Sequence, residues 1–116
     1  PRLYLGTSSW YFPGWKGIVW DRAATESELA RHGLAAYAQH PLLRSVGLDR
    51  TFYTPLSAAQ FAAYAQQVPE TFRFLVKAPQ LVTSAYLRGD GGRPAGNRLF
   101  LDPAHAIEHF IRPCCE

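Results

Sequence analysis

The feature that most constrains the fold is a regular alternation of short strand patterns with amphipathic helix patterns. Strand patterns occur in PRLYLGTS, RSVGLDRTFY and TFRFLVKAP, which begin at positions 1, 44 and 71. A helix pattern follows each of them, which gives the order β-α-β-α-β-α. Strands that alternate with helices of this length pair in parallel through right-handed crossovers. The sequence therefore predicts an α/β fold built on a parallel sheet.

Each of the three helices carries a recognisable start signal. Thr25 and Glu28 have the spacing of a capping box, and Ser57 with Gln60 has the same form. Asp102, followed by proline, opens the third helix. The predicted apolar faces are Leu29, Gly33, Leu34, Tyr37 and Ala38 in the first helix, Phe61, Tyr64, Ala65 and Val68 in the second, and Ala106, Ile107, Phe110 and Ile111 in the third.

Alternation along the second and third strands separates an apolar face from a polar one. Val46, Leu48, Arg50 and Phe52 share one face of the second strand, and Phe72, Phe74 and Val76 share one face of the third. These larger apolar sets are expected under the helices. The opposite face then holds Asp49, Thr51, Tyr53, Arg73 and Lys77. A buried charge without a partner costs several kcal/mol, so Asp49 and Lys77 are expected to be paired, hydrated in a cleft or shifted in pKa.

An aromatic loop, GTSSWYFPGWKG at positions 6–17, follows the first strand. Parallel α/β proteins place their functional sites at the carboxyl ends of the strands, where this loop begins. Aromatic faces beside a cation suit stacked bases or sugars, which favours Trp10, Trp15 and Lys16 as ligand contacts. Large aromatic side chains also pack rims and cores, and Trp10, Phe12 and Trp20 have that alternative role. Lys16 and Trp15 are then the exposed pair.

Charge and composition exclude several classes of protein. The net charge is +3 and no cluster of Lys or Arg occurs, so nucleic-acid binding has only weak support. No apolar run reaches the roughly 20 residues of a membrane span, and no secretory leader pattern occurs, so a cytoplasmic protein without membrane contact is expected. The only cysteines, Cys114 and Cys115, are adjacent and are expected to be reduced.

Two motifs that resemble functional sites have simpler structural explanations. HAIEH, from His105 to His109, has the form of an inverted zinc-protease helix, but its helix is expected on the outside of the sheet, so no metal site is predicted. RGDGGRPAG lies in a predicted loop from Gln80 to Asn97 and lacks the lysine of a phosphate-binding loop. That loop is interpreted as a mobile segment, or as a lid over the strand ends.

Four segments together resemble the YecE-like family, also called domain of unknown function 72. They are GTSSWYFPGWKG, DRTFYTPLS, FRFLVKAPQLVT and NRLFLDP, in this order and across nearly the whole chain. The resemblance implies a TIM-like (β/α) barrel of about 250 residues, with outer helices. Residues 1–116 are then expected to form a single domain, the first three βα units of an incomplete barrel with open sheet edges. The absent first methionine agrees with an N-terminal portion of a longer protein.

The resemblance also implies which residues surround a ligand at the strand ends. No activity is established for the family, and its likeness to the endonuclease IV and xylose isomerase barrels assigns no chemistry by itself. Many members carry Glu and Asn where this chain has Gly47 and Asp49, and His where it has Ser84. The family motifs and the strand faces together give the candidate site: Lys77 and Asp49 as catalytic groups, and Ser8, Trp10, Trp15, Lys16, Thr51, Tyr53 and Thr83 as ligand-binding groups.

Three hypotheses about function follow. The first is an enzyme, or an enzyme-like barrel protein, that acts on a small anionic or sugar-like ligand, with Lys77 on an anionic oxygen and Asp49 as acid or base. The second is a nucleic-acid-binding or endonuclease IV-like protein that uses Trp10, Trp15 and Lys16. The third is an inactive partial barrel, because half of the site is absent. Self-association through the open sheet edges is a separate expectation. The sequence names no cofactor.

Overall fold

Three parallel strands form the central sheet of the computed structural model, which describes residues 3–116. β1 spans Leu5–Thr7, β2 spans Leu43–Leu48 and β3 spans Arg73–Val76. Their order in the sheet is β1-β2-β3, and both pairs are parallel. This confirms the α/β class and the parallel pairing. Within residues 3–116 the sheet does not close into a barrel.

The remaining elements are short helices and one hairpin. The α-helices are α1 (Glu26–His32), α2 (Leu34–Ala38), α3 (Arg50–Tyr53), α4 (Ala58–Ala65), α5 (Gln80–Thr83), α6 (Pro103–Ala106) and α7 (Arg112–Cys115). The hairpin pairs β4 (Tyr86–Arg88) with β5 (Pro94–Gly96). The chain divides into two compact units. The first contains the chain up to Asp49 and Ala62–Val76, and the second contains Arg50–Phe61 and Lys77–Glu116.

The predicted helix starts are confirmed at atomic detail. The Thr25 hydroxyl accepts the Glu28 N–H at 3.3 Å, and the Glu28 carboxylate accepts the Thr25 N–H at 2.8 Å, which completes a capping box. Ser57 and Gln60 exchange the same pair of bonds. The Asp102 carboxylate caps α6 by accepting the His105 N–H at 2.8 Å. Short polar side chains therefore set these three starts locally.

The core of the first unit lies between the sheet and the helices on one of its faces. All five residues of the predicted face of the first helix are buried, although that helix breaks at Gly33 into α1 and α2. The Tyr37 ring packs edge-on against Phe72, and the Tyr37 hydroxyl donates to the Ser45 carbonyl at 3.0 Å. Tyr64, in α4, lies 6.5 Å from Phe74 between ring centroids. Both crossover connections thus place aromatic side chains on the same face of β3.

The prediction that β2 continues to Tyr53 is wrong. β2 ends at Leu48, opposite the last residue of β3, so the next residues have no partner in the parallel ladder. The chain turns into α3 instead, where the Arg50 carbonyl accepts the Thr54 N–H at 3.1 Å. Period-2 alternation therefore does not apply there. Thr51 is 1% exposed and Tyr53 is 71% exposed, so the predicted shared face of Asp49, Thr51 and Tyr53 does not exist.

The prediction of a structureless loop from Gln80 to Asn97 is also wrong. That stretch holds α5 and the β4–β5 hairpin, and the RGDGGRPAG motif forms the hairpin turn. Gly91 and Gly92 adopt φ values of 66° and 77° there, a backbone region that glycine enters without steric cost. The Gly89 N–H donates to the Arg93 carbonyl at 2.8 Å and closes the turn. These glycines therefore allow the backbone conformation that the turn requires.

The C-terminal helix contains a π-helical stretch. α6 continues through a π-helix at Ile107–Ile111 into α7, and the Arg112 N–H donates to the Ile107 carbonyl five residues back. Pro113 has no N–H to continue an α-helical ladder, and its ring crowds the carbonyl four residues earlier. The wider π turn accommodates this proline. The predicted apolar face is only partly covered, since Ile107 and Ile111 are about half exposed.

Candidate functional site

The aromatic loop after β1 is a closely hydrogen-bonded turn. Pro13–Trp15 form a 3-10 turn, and the Trp15 carbonyl accepts N–H groups from Ile18 and Val19 at 3.0 and 2.9 Å. The indole N–H of Trp20 donates to the Phe12 carbonyl at 2.9 Å. The Trp15 ring lies 6.3 Å from the buried Tyr37 ring, between centroids. These contacts attach the loop to the core of the first unit.

The exposure of the loop residues differs in part from expectation. Trp10 and Trp20 are buried as the packing alternative predicts, but Phe12 is 55% exposed, so the prediction that it is buried is wrong. Lys16 is exposed and Trp15 is half-buried. The Phe12 ring lies beside Gly14, where a side-chain carbon would come within 2.5 Å of Phe12 Cε1.

Trp10 carries a buried polar atom that lacks a partner. Trp10 is 3% exposed, with the Tyr11 and Tyr64 rings packed at 5.5 and 5.4 Å between centroids. Its indole Nε1 has no hydrogen-bond partner within residues 3–116. Because unsatisfied buried donors are rare and cost about 1–3 kcal/mol, this atom sets Trp10 apart from ordinary core residues.

Ser8 and Asp49 lie in the first unit with these aromatic residues. Both side chains are exposed, so the charge of Asp49 carries no burial cost. The Ser8 backbone passes close over β2, because a side-chain carbon on Gly47 would lie 2.8 Å from the Ser8 carbonyl oxygen. The end of β1 can therefore approach β2 only because Gly47 has no side chain.

The remaining predicted residues lie in the second unit, around the start of α3. The Thr51 hydroxyl donates to the Lys77 carbonyl at 2.6 Å and fixes the backbone just beyond β3. The Lys77 ammonium lies 5.0 Å from the centroid of the Phe52 ring, within the range of a cation–π contact. The Tyr53 ring meets the Phe52 ring edge-on at 5.0 Å. The structure therefore brings Thr51, Tyr53 and Lys77 together around Phe52.

Phe52 is the residue of this cluster that sequence reasoning missed as a site residue. Strand alternation predicts that Phe52 lies on the face opposite Tyr53, in the core under the helices. In the structure this segment is the α3 helix, and the Phe52 ring lies next to the Lys77 ammonium. The TFY sequence after a strand was the only available signal. Thr83 lies apart from these contacts: its hydroxyl donates to the Pro79 carbonyl at 3.1 Å, within α5.

A cleft of about 230 Å³ lies elsewhere in the first unit. It runs between the segment Trp20–Ala24 and the α1 and α2 helices, and it includes none of the predicted site residues. Glu28 lines it, but the carboxylate of Glu28 already caps α1. Hydrogen bonds from Thr25 lower the pKa of Glu28 below its ordinary value, with minor help from Arg22 and Arg31. This cleft is therefore separate from the predicted chemistry.

The C-terminal motifs adopt ordinary helical contacts. The rings of His105 and His109 lie 4.5 Å apart between centroids, and Glu108 pairs with Arg112 at 2.7 Å. Within residues 3–116, no group of three or more His, Cys, Asp or Glu residues is arranged to hold a metal ion. Cys114 and Cys115 are free thiols, as expected, and burial raises the pKa of Cys114, with a smaller contribution from Cys115. Across the same residues, each helix is too short or too polar to traverse a bilayer.

Comparison with known protein families identifies a family to which the chain belongs. A family model described as protein of unknown function DUF72 matches residues 4–114. The match corresponds to the N-terminal portion of that family's domain. Neither the curated proteins nor the solved structures yield a match to this chain.

Proposed function

The chain belongs to the DUF72 family, and on that premise we propose that it binds a small anionic or polyhydroxy ligand through Lys77. The observation that carries the proposal is the position of the Lys77 ammonium over the Phe52 ring, directly after a parallel strand. In parallel α/β proteins the carboxyl ends of the strands are where ligands bind. Lys77 occupies that position, and its side chain is exposed.

Backbone anchoring supports a binding role for Lys77. The 2.6 Å bond from the buried Thr51 hydroxyl to the Lys77 carbonyl restrains the backbone from which the side chain projects. A restrained cation loses less conformational freedom on binding than a mobile one, so more of its attraction for an anion is retained as affinity. Thr51 is therefore proposed as a positioning residue that acts through Lys77.

Aromatic groups complete the proposed site. The faces of Phe52 and Tyr53 offer apolar surface beside the ammonium, and the Tyr53 hydroxyl belongs to a side chain that is 71% exposed. Sugar rings present C–H faces together with hydroxyl groups, and sugar phosphates add a negative charge. This combination fits an aromatic and cationic cluster better than it fits a purely apolar ligand. Asp49 as acid or base stays a prediction from the sequence.

The TIM-like barrel belongs to the same proposal. A sequential order of parallel strands, with Tyr37 and Tyr64 packed on the same side against Phe72 and Phe74, supports one wall of such a barrel. Leu75, on the other face, is 76% exposed. Both faces of parallel sheets are normally covered, so this face suits the interior of a larger barrel.

The ligand proposal is tested by thermal unfolding with inorganic phosphate, glucose 6-phosphate and glucose as probes. The comparison uses wild type, Lys77→Ala, Lys77→Arg and Lys16→Ala, because Lys16 and Lys77 are the only lysines in the chain. A ligand at 100 times its Kd stabilises the folded state by about 2.7 kcal/mol. We expect this stabilisation in wild type, Lys77→Arg and Lys16→Ala, and its loss in Lys77→Ala. An equal ligand-induced shift in Lys77→Ala would contradict the proposal.

A further inference from the structure

We infer that the loop from Phe12 to Trp20 is a second, independent binding surface, a platform that stacks one base of single-stranded nucleic acid on Phe12 and holds a phosphate at Lys16. The inference begins from the exposed ring of Phe12. The aromatic side chains that sequence reasoning favoured for stacking are unsuited to it, since Trp10 is buried and Trp15 is half-buried against Tyr37. Phe12 is 55% exposed.

The Phe12 ring packs against the turn that follows it and is still about half exposed. A side-chain carbon on Gly14 would lie 2.5, 2.8 and 3.3 Å from three consecutive atoms of that ring, so the ring covers the bare backbone of Gly14. The Trp15 ring meets it edge-on at 5.6 Å between centroids and limits its rotation. A ring held by these two contacts and half exposed offers aromatic surface on which a base can stack.

The backbone under the platform is also restrained. The Phe12 carbonyl accepts two hydrogen bonds, from the Trp15 N–H at 3.3 Å and from the Trp20 indole at 2.9 Å. The Gly17 N–H donates to the Trp20 carbonyl at 2.7 Å, and Gly17 adopts a φ of 82° that glycine tolerates best. A platform that is rigid before binding loses little conformational entropy when a ligand is stacked on it.

The charge of the loop indicates which class of ligand binds there. Lys16 is the only charged side chain between Leu3 and Trp20, and it is exposed. The Lys16 N–H donates to the Pro13 carbonyl, so the short turn Pro13–Trp15 separates Phe12 from Lys16. An aromatic ring and a single cation that flank one short turn complement a base and its neighbouring phosphate, the combination found in proteins that bind single strands without sequence readout.

The test measures binding of fluorescently labelled oligothymidylate to wild type, Phe12→Ala, Phe12→Tyr and Lys16→Ala. Stacking of one base predicts that Phe12→Ala weakens binding by about 5- to 150-fold, whereas Phe12→Tyr retains it. Lys16→Ala should lower the slope of log affinity against log salt by about 0.7, the share of one phosphate on a single strand. Phe12→Ala should fold normally, because the Phe12 side chain is exposed and the bonds to its carbonyl remain.

Two controls separate this surface from others. Leu75→Ala changes an exposed apolar side chain outside the loop and outside the Lys77 site, and it should leave oligonucleotide binding unchanged. An oligonucleotide that lacks bases should bind wild type as weakly as thymidylate binds Phe12→Ala. The inference is overturned if the strand without bases binds as tightly as thymidylate, if Phe12→Ala binds like wild type, or if wild type does not bind at all.

Discussion

At the scale of single residues, Trp10 and Trp20 form a natural matched pair. They are 3% and 5% exposed, but the Trp20 indole donates to the Phe12 carbonyl, while the Trp10 indole N–H has no partner within residues 3–116. Replacing either by phenylalanine removes the same atoms. We expect Trp20→Phe to lower the free energy of unfolding by about 1 kcal/mol more than Trp10→Phe, because only the former loses a hydrogen bond. Urea unfolding of both variants measures the difference, and equal losses would contradict the assignment.

Thr51 provides the second test at this scale. Thr51→Val keeps the shape of the buried side chain but removes the hydroxyl that donates to the Lys77 carbonyl. We expect the free energy of unfolding to fall by about 1 kcal/mol, the usual net value of such a bond. Thr51→Ser, which retains the hydroxyl, is the control in the same chemical denaturation experiment. A Thr51→Val protein as stable as wild type would show that this bond does not hold the backbone beyond β3.

At the scale of elements, local chemistry made the helix starts predictable. The capping boxes at Thr25 and Ser57 and the cap at Asp102 form with the predicted residues, because each depends on side chains within three positions of one another. The end of β2 was not predictable in the same way. The length of a strand depends on the strand with which it pairs, and β3 ends opposite Leu48. Alternation within RSVGLDRTFY carries no information about where β3 ends.

The hairpin illustrates a different limit of sequence reasoning. Gly91 and Gly92 signalled a turn, but the flanking strands are only three residues each and include a proline, so no alternating pattern marked them as strands. In the candidate site, Thr51, Tyr53 and Lys77 come together around Phe52, but not on the strand face that alternation predicts. The wrong strand phase concealed the position of Phe52 under the ammonium.

The capping box of α1 predicts a pH dependence of stability. Hydrogen bonds from Thr25 lower the pKa of Glu28 in the folded state below its ordinary value of 4.5. A carboxyl group with a lowered folded pKa stabilises the protein above its unfolded pKa, and this contribution disappears as the pH falls through the folded value. We therefore expect Glu28→Gln to be less stable than wild type at neutral pH, with the difference vanishing in acid.

The measurement for this prediction is urea unfolding of wild type and Glu28→Gln across the acid range. Thr25→Ala is a companion variant that should cost about 1 kcal/mol at neutral pH through loss of the N-cap. Glu26→Gln, in the same turn, is the control for a general charge effect. A Glu28→Gln difference that persists unchanged in strong acid would rule out the carboxylate as its cause.

At the scale of the whole molecule, the sheet of the first unit has one face under helices and one exposed. Phe74 packs against Tyr64 on the covered face, while Leu75, opposite Gly47 in the ladder, lies on the exposed one. We expect this face to bind a hydrophobic fluorescent dye, and Leu75→Gln to reduce the dye signal. Leu42→Gln alters an exposed leucine outside the strands and is the control. Equal dye binding by wild type and Leu75→Gln would show that the face is covered in solution.

The central claim is that Lys77 contacts an anionic ligand, and the chain contains only two lysines with which to test it. The most direct measurement is reductive methylation of the intact protein, with and without saturating glucose 6-phosphate, followed by mass spectrometry of the peptides that carry Lys16 and Lys77. The account predicts that the ligand slows methylation of Lys77 and leaves Lys16 unaffected, because only the Lys77 ammonium is covered. Unchanged methylation of Lys77 at saturation, or equal protection of both lysines, would contradict it.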